Sequence, residues 1–248
     1  MNKILTMVLT AVIIFSAGCA TSAKKDCIPK NCHQRMGKVV YANDFQGREP
    51  LFGWIMEGAG RAVVKEGKLV IDSPEMASNL VYWIDKPMPE NFVLTFDFQV
   101  QSEDGLCILF ICAASKNGQS IFDPALAKRA GNFAEYTDGD INNYLLQYYT
   151  QNPTHLEQTN NELRKNAGFD LIQQTPAVIE RGSPNIYKIT VIKDGGKIMM
   201  FVDDKLIIDA VDNNALGTAP YNAGYIGLRQ MKWTTASYDN IIVRKLEQ

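Results

Sequence analysis

Three kinds of chemistry lie within reach of the polar and aromatic residues of this chain, and each needs a different constellation. Glycoside hydrolysis needs two carboxyl groups about 5–10 Å apart across the scissile bond. In "NFVLTFDFQVQ", Asp97 is the acid on the polar face of a strand, beside Thr95, Gln99 and Gln101. Its partner would come from a loop, at Asp123, Glu135, Asp138 or Asp140. Elimination from a uronate needs a group that neutralises the carboxylate and a base for the proton alpha to it. In "YLLQYYT", strict alternation puts Leu145, Gln147 and Tyr149 on one face, and Tyr144, Leu146 and Tyr148 on the other. Gln147 and Tyr149 facing Arg164 and Lys165 are suitable types, so Tyr149, Gln147 and Asp97 are the candidate catalytic residues.

Binding without catalysis asks less. Sugars present C–H faces that stack on rings, and hydroxyls that want paired donors and acceptors. Trp83, Tyr82, Tyr136, Tyr144, Tyr149 and Trp233 supply rings, while Trp54 and Tyr238 read as core. Alternation in "LVYWI" turns either Tyr82 or Trp83 outward. Asn79, Gln99, Gln147 and Asn166 supply amides, and Arg164 a flat guanidinium suited to a planar acidic group. Asp123 and Arg129, from "FDPALAKRAG", complete the candidate substrate-binding set with Asn79, Trp83, Gln99, Tyr144, Arg164 and Asn166. Hydrolysis, elimination and binding all remain open on residue types alone.

Metal chemistry has thin support. The chain has two histidines, His33 and His155, and no cysteine–histidine cluster at zinc spacing. No cofactor is required by any motif. A structural calcium would find Asp44 and Asp239 as ligands, two against the six to eight oxygens calcium takes. A net charge of −2 provides no electrostatic case for a nucleic-acid partner. Of five cysteines, Cys107 and Cys112 lie in the apolar run "GLCILFICAA" and read as small core residues. Cys27 and Cys32 flank "IPKN", where an exported location would allow them to pair.

The N-terminus sets the address. Lys3 precedes an apolar run from Ile4 to Phe15, too short for the roughly 20 residues that span a bilayer but suited to an export signal. Ser16-Ala17-Gly18-Cys19 resembles a bacterial lipobox, which implies cleavage before Cys19 and a lipid on its thiol. The expected organisation is a lipoprotein signal peptide at 1–18, a polar tether at 19–37 and one domain at 38–248. The location implied is the cell envelope, with the membrane side and the oligomeric state open.

The elements that must position these residues are strands. Beyond residue 37, short runs with period-two alternation and β-branched residues dominate, separated by turn signals such as Asp194-Gly195-Gly196. Leu94, Phe96, Phe98 and Val100 point one way; Thr95, Asp97, Gln99 and Gln101 point the other. The run from Leu106 to Ala113 is apolar on both faces and predicts a central strand. Many short strands with little helix predict an all-β sandwich of two antiparallel sheets. Asp123 as N-cap, Pro124 at the first helical position and Gly131 as a stop predict one short helix. The polar, aromatic region from about Gly131 to Lys165 reads as a long loop holding one strand. "LRKN" closes it, with Lys165 turned to solvent, and Gly168-Phe169 re-enters the sheet.

"IFDPALAKRAGNFAEYTDGDINNY", "LRKNAGF" and the closing "GYIGLRQMKW…SYDNIIV" together resemble the YesU-like family of bacterial proteins, over nearly all of residues 38–246. The resemblance implies a concanavalin A-like jelly roll and an association with plant polysaccharides, notably rhamnogalacturonan. The reading is a lipid-anchored protein that acts on or binds an acidic polysaccharide or its oligosaccharides, as a lyase, a hydrolase or a binder. The alternative is a non-catalytic structural lipoprotein of a polysaccharide uptake system. An active site demands that Gln147, Tyr149, Arg164 and Asp97 converge on one open groove, on the concave sheet beneath residues 131–166.

Overall fold

A computed structural model of the chain describes residues 28–73, 79–151, 159–214 and 216–248. The signal segment, Cys19, Cys27 and His155 lie outside the described residues. The described elements are α1 (Lys30–Gln34), β1 (Met36–Asn43), β2 (Trp54–Gly58), β3 (Arg61–Lys65), β4 (Lys68–Asp72), β5 (Leu80–Ile84), β6 (Phe92–Val100) and β7 (Gly105–Ser115). They continue with α2 (Ala134–Thr137), β8 (Ile141–Gln151), β9 (Asn160–Asn166), β10 (Asp170–Pro176), β11 (Tyr187–Asp194) and β12 (Lys197–Val202). The chain closes with β13 (Lys205–Val211), β14 (Tyr225–Gln230) and β15 (Thr235–Leu246).

The strands form two antiparallel sheets. The eight-stranded sheet runs β13-β12-β11-β6-β15-β4-β3, with β1 also on β15; the seven-stranded sheet runs β10-β9-β8-β7-β14-β5-β2. The alternation in β6 is realised as expected: Leu94, Phe96, Phe98 and Val100 enter the core between the sheets, while Thr95, Asp97 and Gln99 are partly exposed. Phe98 meets Tyr148 of the facing sheet edge to face, with ring centroids 5.1 Å apart.

The apolar character of β7 on both faces has a specific cause. A second cluster lies on the outer face of the seven-stranded sheet, where Val81, Trp83, Ile108, Phe110 and Leu145 pack under Ile121 and Tyr136. The segment between β7 and β8 therefore crosses back over the sheet and buries its middle strands a second time. Burying side chains of this size contributes roughly 1.5–3 kcal/mol each. The outer face of the eight-stranded sheet is covered in a smaller way. Cys32 of α1 packs there, as a free thiol, with Val93, Ile192, Phe201 and Leu246.

Four expectations need correction. The stretch from Ile28 onward is not tether: α1 docks, and Arg35 is paired with Asp194 at 2.7 Å. No helix forms over residues 123–131. Asp123 closes only a turn, accepting from Ala125 N at 2.9 Å. Arg129 then folds its guanidinium back to the Ile121 carbonyl (2.8 Å) and down to Glu57 on β2, which holds this stretch out of a helix. The one helix here, α2, starts three residues after Gly131. Residues 131–165 are not a long loop either, since they hold α2, β8 and β9. "LRKN" is thus the end of a strand, and Ala167-Gly168-Phe169 is the turn of the β9–β10 hairpin.

Candidate functional site

The outer face of the seven-stranded sheet carries one row of residues in direct register across all seven strands. From edge to edge it reads Glu57, Val81, Arg229, Ile108, Gln147, Glu162 and Gln174. Four charged or amide side chains of this row are themselves buried or nearly so, and their partners divide the face into two halves.

On the β2 side the crossing segment is pinned by a carboxylate. Glu57 accepts from Arg129 Nε (3.0 Å) and Nη2 (2.6 Å), from Trp83 Nε1 (2.9 Å) and from Tyr136 Oη (2.9 Å). Arg129 and Glu57 keep only 7% and 11% side-chain exposure, so each would be a buried charge without the other. Trp83 stacks on Phe110, and Phe110 on Tyr136. A Cβ on Gly227 would come within 2.4 Å of the Trp83 ring, so glycine is what lets the indole lie flat on β14. A cavity of about 340 Å³ opens beside this network, lined by Glu57, Phe122, Asp123, Leu126, Lys128 and Arg129, among others.

On the β8–β10 side the polar groups form a relay. Gln147 Nε2 donates to Asn160 Oδ1 (2.8 Å), Asn160 Nδ2 to Glu162 Oε1 (3.0 Å), and Arg164 Nε to Glu162 Oε2 (2.6 Å). Arg164 Nη1 donates to the Phe169 carbonyl (2.9 Å), and its guanidinium lies 3.9 Å from the centroid of the Phe169 ring. Phe169 meets Phe133, a partly exposed ring of the crossing segment. This half presents amides, a carboxylate, a guanidinium and ring faces within one strip.

The expected catalytic set does not assemble. Cys107 is paired with Tyr149 and Ile108 with Gln147, so Tyr148 is an extra residue in β8. That bulge reverses the alternation, and Tyr149 faces the core between the sheets instead of sharing a face with Gln147. Its hydroxyl donates to the Glu103 carbonyl at 2.5 Å, and burial pushes its pKa up to about 12, which disfavours the phenolate a base would need. Asp97 lies on the outer face of the other sheet, bonded by Asn240 Nδ2 (2.8 Å) and near Lys188 (3.7 Å). Gln147 and Arg164 are the two of the four that share a face.

The substrate-binding candidates also scatter. Trp83 and Asn166 are fully buried, the latter donating to Asn143 Oδ1 (2.9 Å) to hold the end of β9. Tyr144 points into the core, where its hydroxyl donates to Asp212 Oδ2 (2.6 Å). Gln99 sits on the eight-stranded sheet, bonded to the Pro184 carbonyl (2.7 Å). Asn79 accepts from Lys232 N (3.0 Å) at the end of β5. Arg129 is committed to Glu57, and Asp123 to its turn. Lys165 does point away from Arg164, but into the protein: it is 1% exposed and paired with Asp212 at 2.6 Å.

The calcium expectation gains no donor set. Asp44 Oδ1 accepts from Gln46 N and Asp239 Oδ1 from Asn240 N. Burial, and then the nearby Asp97 and Asp44 carboxylates, raise the Asp239 carboxyl. Among the described residues no group of three or more His, Cys, Asp or Glu side chains is placed to hold a metal ion. Glu57, Glu162 and Arg229 were missed from the sequence. Arg229 did leave a trace, a charge set in the apolar run "YIGLRQ".

A family model described as a domain of unknown function (DUF1961) matches residues 38–243. The chain belongs to the DUF1961 family. The uncharacterized protein YesU of Bacillus subtilis (strain 168) is 29% identical over 214 residues, covering 84% of this chain and 96% of that protein. A Bacillus subtilis protein of unknown function with a galectin-like fold superposes with a TM-score of 0.81 at 28% identity, over 86% of this chain and 99% of that one. The carbohydrate binding module CBM66 of Bacillus subtilis shares the fold at a TM-score of 0.52 and 16% identity, over 78% of this chain and 96% of that one. This DUF1961 member is therefore an all-β jelly roll of the galectin and concanavalin A kind, as its strand pattern predicts.

Proposed function

We propose that this protein binds an oligosaccharide or polysaccharide chain on the β8–β10 half of its seven-stranded sheet, and binds it without cutting. The relay Gln147–Asn160–Glu162–Arg164 beside Phe169 and Phe133 carries the reading. It fixes donors, acceptors and ring faces before any ligand arrives, which lowers the ordering cost of binding a flexible, hydroxyl-rich chain. The fold shared with a carbohydrate binding module supports the same reading. Catalysis is disfavoured by spacing. The two carboxylates of the row, Glu57 and Glu162, stand five strand spacings apart, about 24 Å, against the 5–10 Å that hydrolysis uses. The preferred ligand is an acidic glycan, and attachment is through a lipid on Cys19 to the cell envelope.

Calorimetry against neutral and uronate-containing oligosaccharides tests the binding. A bound glycan is expected, with Gln147→Ala and Arg164→Ala each weakening it about tenfold, the size of a lost charge-assisted or amide hydrogen bond. Release of reducing ends or appearance of unsaturated uronate would replace the binder with an enzyme, and absence of binding to any glycan would end the reading. For the anchor, labelling of the full chain with a radioactive fatty acid is expected in the wild type and lost in Cys19→Ala. Equal labelling of both would refute it.

A further inference from the structure

Arg229 is third of the seven residues in the same row, next to its centre, and its buried cation has no counter-charge in contact. It has no solvent exposure. Its Nη1 donates to the Gly131 carbonyl at 3.0 Å. Its guanidinium carbon lies 5.1 Å from the Phe133 ring centroid and 5.3 Å from that of Tyr136. Nε and Nη2 find no hydrogen-bond partner. Two unmet donors on one buried, charged group are costly, and native structures rarely keep them without a use.

The pair left over is informative. Nε and Nη2 form one of the two edges of a guanidinium that present parallel N–H groups side by side, the geometry that grips a carboxylate with two bonds. The same protein shows this grip nearby, where Arg129 holds Glu57 through its own Nε and Nη2. For Arg229 the edge is turned away from Nη1 and its Gly131 carbonyl. Burial lowers the Arg229 pKa to about 10, which still leaves it fully charged at neutral pH.

We propose that the Nε–Nη2 edge of Arg229 is the carboxylate-binding position of this sheet face, so that the saccharide it selects carries a uronic acid. This rests on the acidic-saccharide reading above and adds the residue that reads the acid. Ile108 separates Arg229 from Gln147 in the row, so the two stand two strand spacings apart, about 10 Å, within the span of a short oligosaccharide. Phe133 is 36% exposed and packs over the guanidinium. Arg164 is a weaker choice for this task, because its Nε is already committed to Glu162.

The test uses the full chain and uronic-acid trisaccharides of galacturonate, glucuronate, mannuronate and guluronate, each beside its carboxyl-reduced counterpart. At least one acid is expected to bind tenfold or more tighter than its reduced form, with that gap collapsing in Arg229→Lys and Arg229→Met. Lysine keeps the charge but not the two-pronged edge, and methionine keeps the bulk of the stem. Should neither variant fold, the wild type still decides. The Arg229 Nε–H resonance is expected to shift with the acid and not with the reduced sugar. Equal binding of acid and reduced forms, or acid preference surviving in both variants, removes the Arg229 assignment and leaves saccharide binding standing. Binding of none of the sugars removes both.

Discussion

At the scale of single residues, the molecule depends on buried charges that are individually expensive and jointly satisfied. Glu57 takes four donors from Arg129, Trp83 and Tyr136. Glu57→Gln would leave the Arg129 guanidinium buried beside a neutral amide, and breaking such a pair typically costs about 3–5 kcal/mol. Urea unfolding is expected to show a loss of that size; a loss under 1 kcal/mol would mean that Arg129 finds water. Asp212 makes a pH prediction. Burial alone would raise its carboxyl, but the bonds from Lys165 and Tyr144 hold it below the ordinary carboxylate range. A carboxyl lowered by folding stabilises fully above its unfolded value of about 3.9 and loses that contribution as pH falls through the lower, folded value. Wild-type stability should therefore drop below about pH 4, and Asp212→Asn should be less stable at pH 7 but flatter across that acid window. An equally steep acid limb in the variant would assign the effect to other carboxylates.

At the scale of elements, the crossing between β7 and β8 decides what the sheet face can do, and it was the least legible part of the sequence. Hydrophobic alternation shows that β6 is half-buried, because period two is written in the residues themselves. The burial of Trp83 is not written there, since what covers it is Tyr136 from a distant segment. A bulge inserts one residue with no compositional mark, so Tyr149 could not be moved off the Gln147 face by pattern alone. Lys165 looked like a solvated loop cation because its partner Asp212 is remote in the chain. Gly131 tests how tightly the crossing is set. Its φ is +88°, and a Cβ would come within 1.7 Å of the Asn79 carbonyl oxygen. Gly131→Ala therefore meets both backbone strain and backbone collision, with a cost above about 2 kcal/mol. Near-UV circular dichroism should report the loosened Trp83–Phe110–Tyr136 stack. Unchanged spectra and stability would show that the crossing tolerates a shift the packing forbids.

At the scale of the whole molecule, the two sheets divide the candidate chemistry between opposite outer faces. Asp97, Gln99 and Asp239 lie on one, and Gln147, Glu162, Arg164 and Arg229 on the other. The sandwich itself was legible, since strand count, turn signals and one two-faced apolar strand admit few other arrangements. Which strands share a face was not, because it follows from sheet order, and order is set by contacts across the whole chain. The faces can be told apart by linkage. A ligand at one hundred times its dissociation constant stabilises the folded state by about 2.7 kcal/mol, which for a domain of this size raises the melting temperature by roughly 5–10 °C. With a bound glycan at that concentration, wild type and Asp97→Asn should show the same rise, while Arg164→Ala, binding about tenfold more weakly, should keep only about half of it. The reverse pattern, a rise kept by Arg164→Ala and lost by Asp97→Asn, would move the site to the eight-stranded sheet. There Asp97 and Asp239 face each other on neighbouring strands, and hydrolysis would return as the chemistry to test.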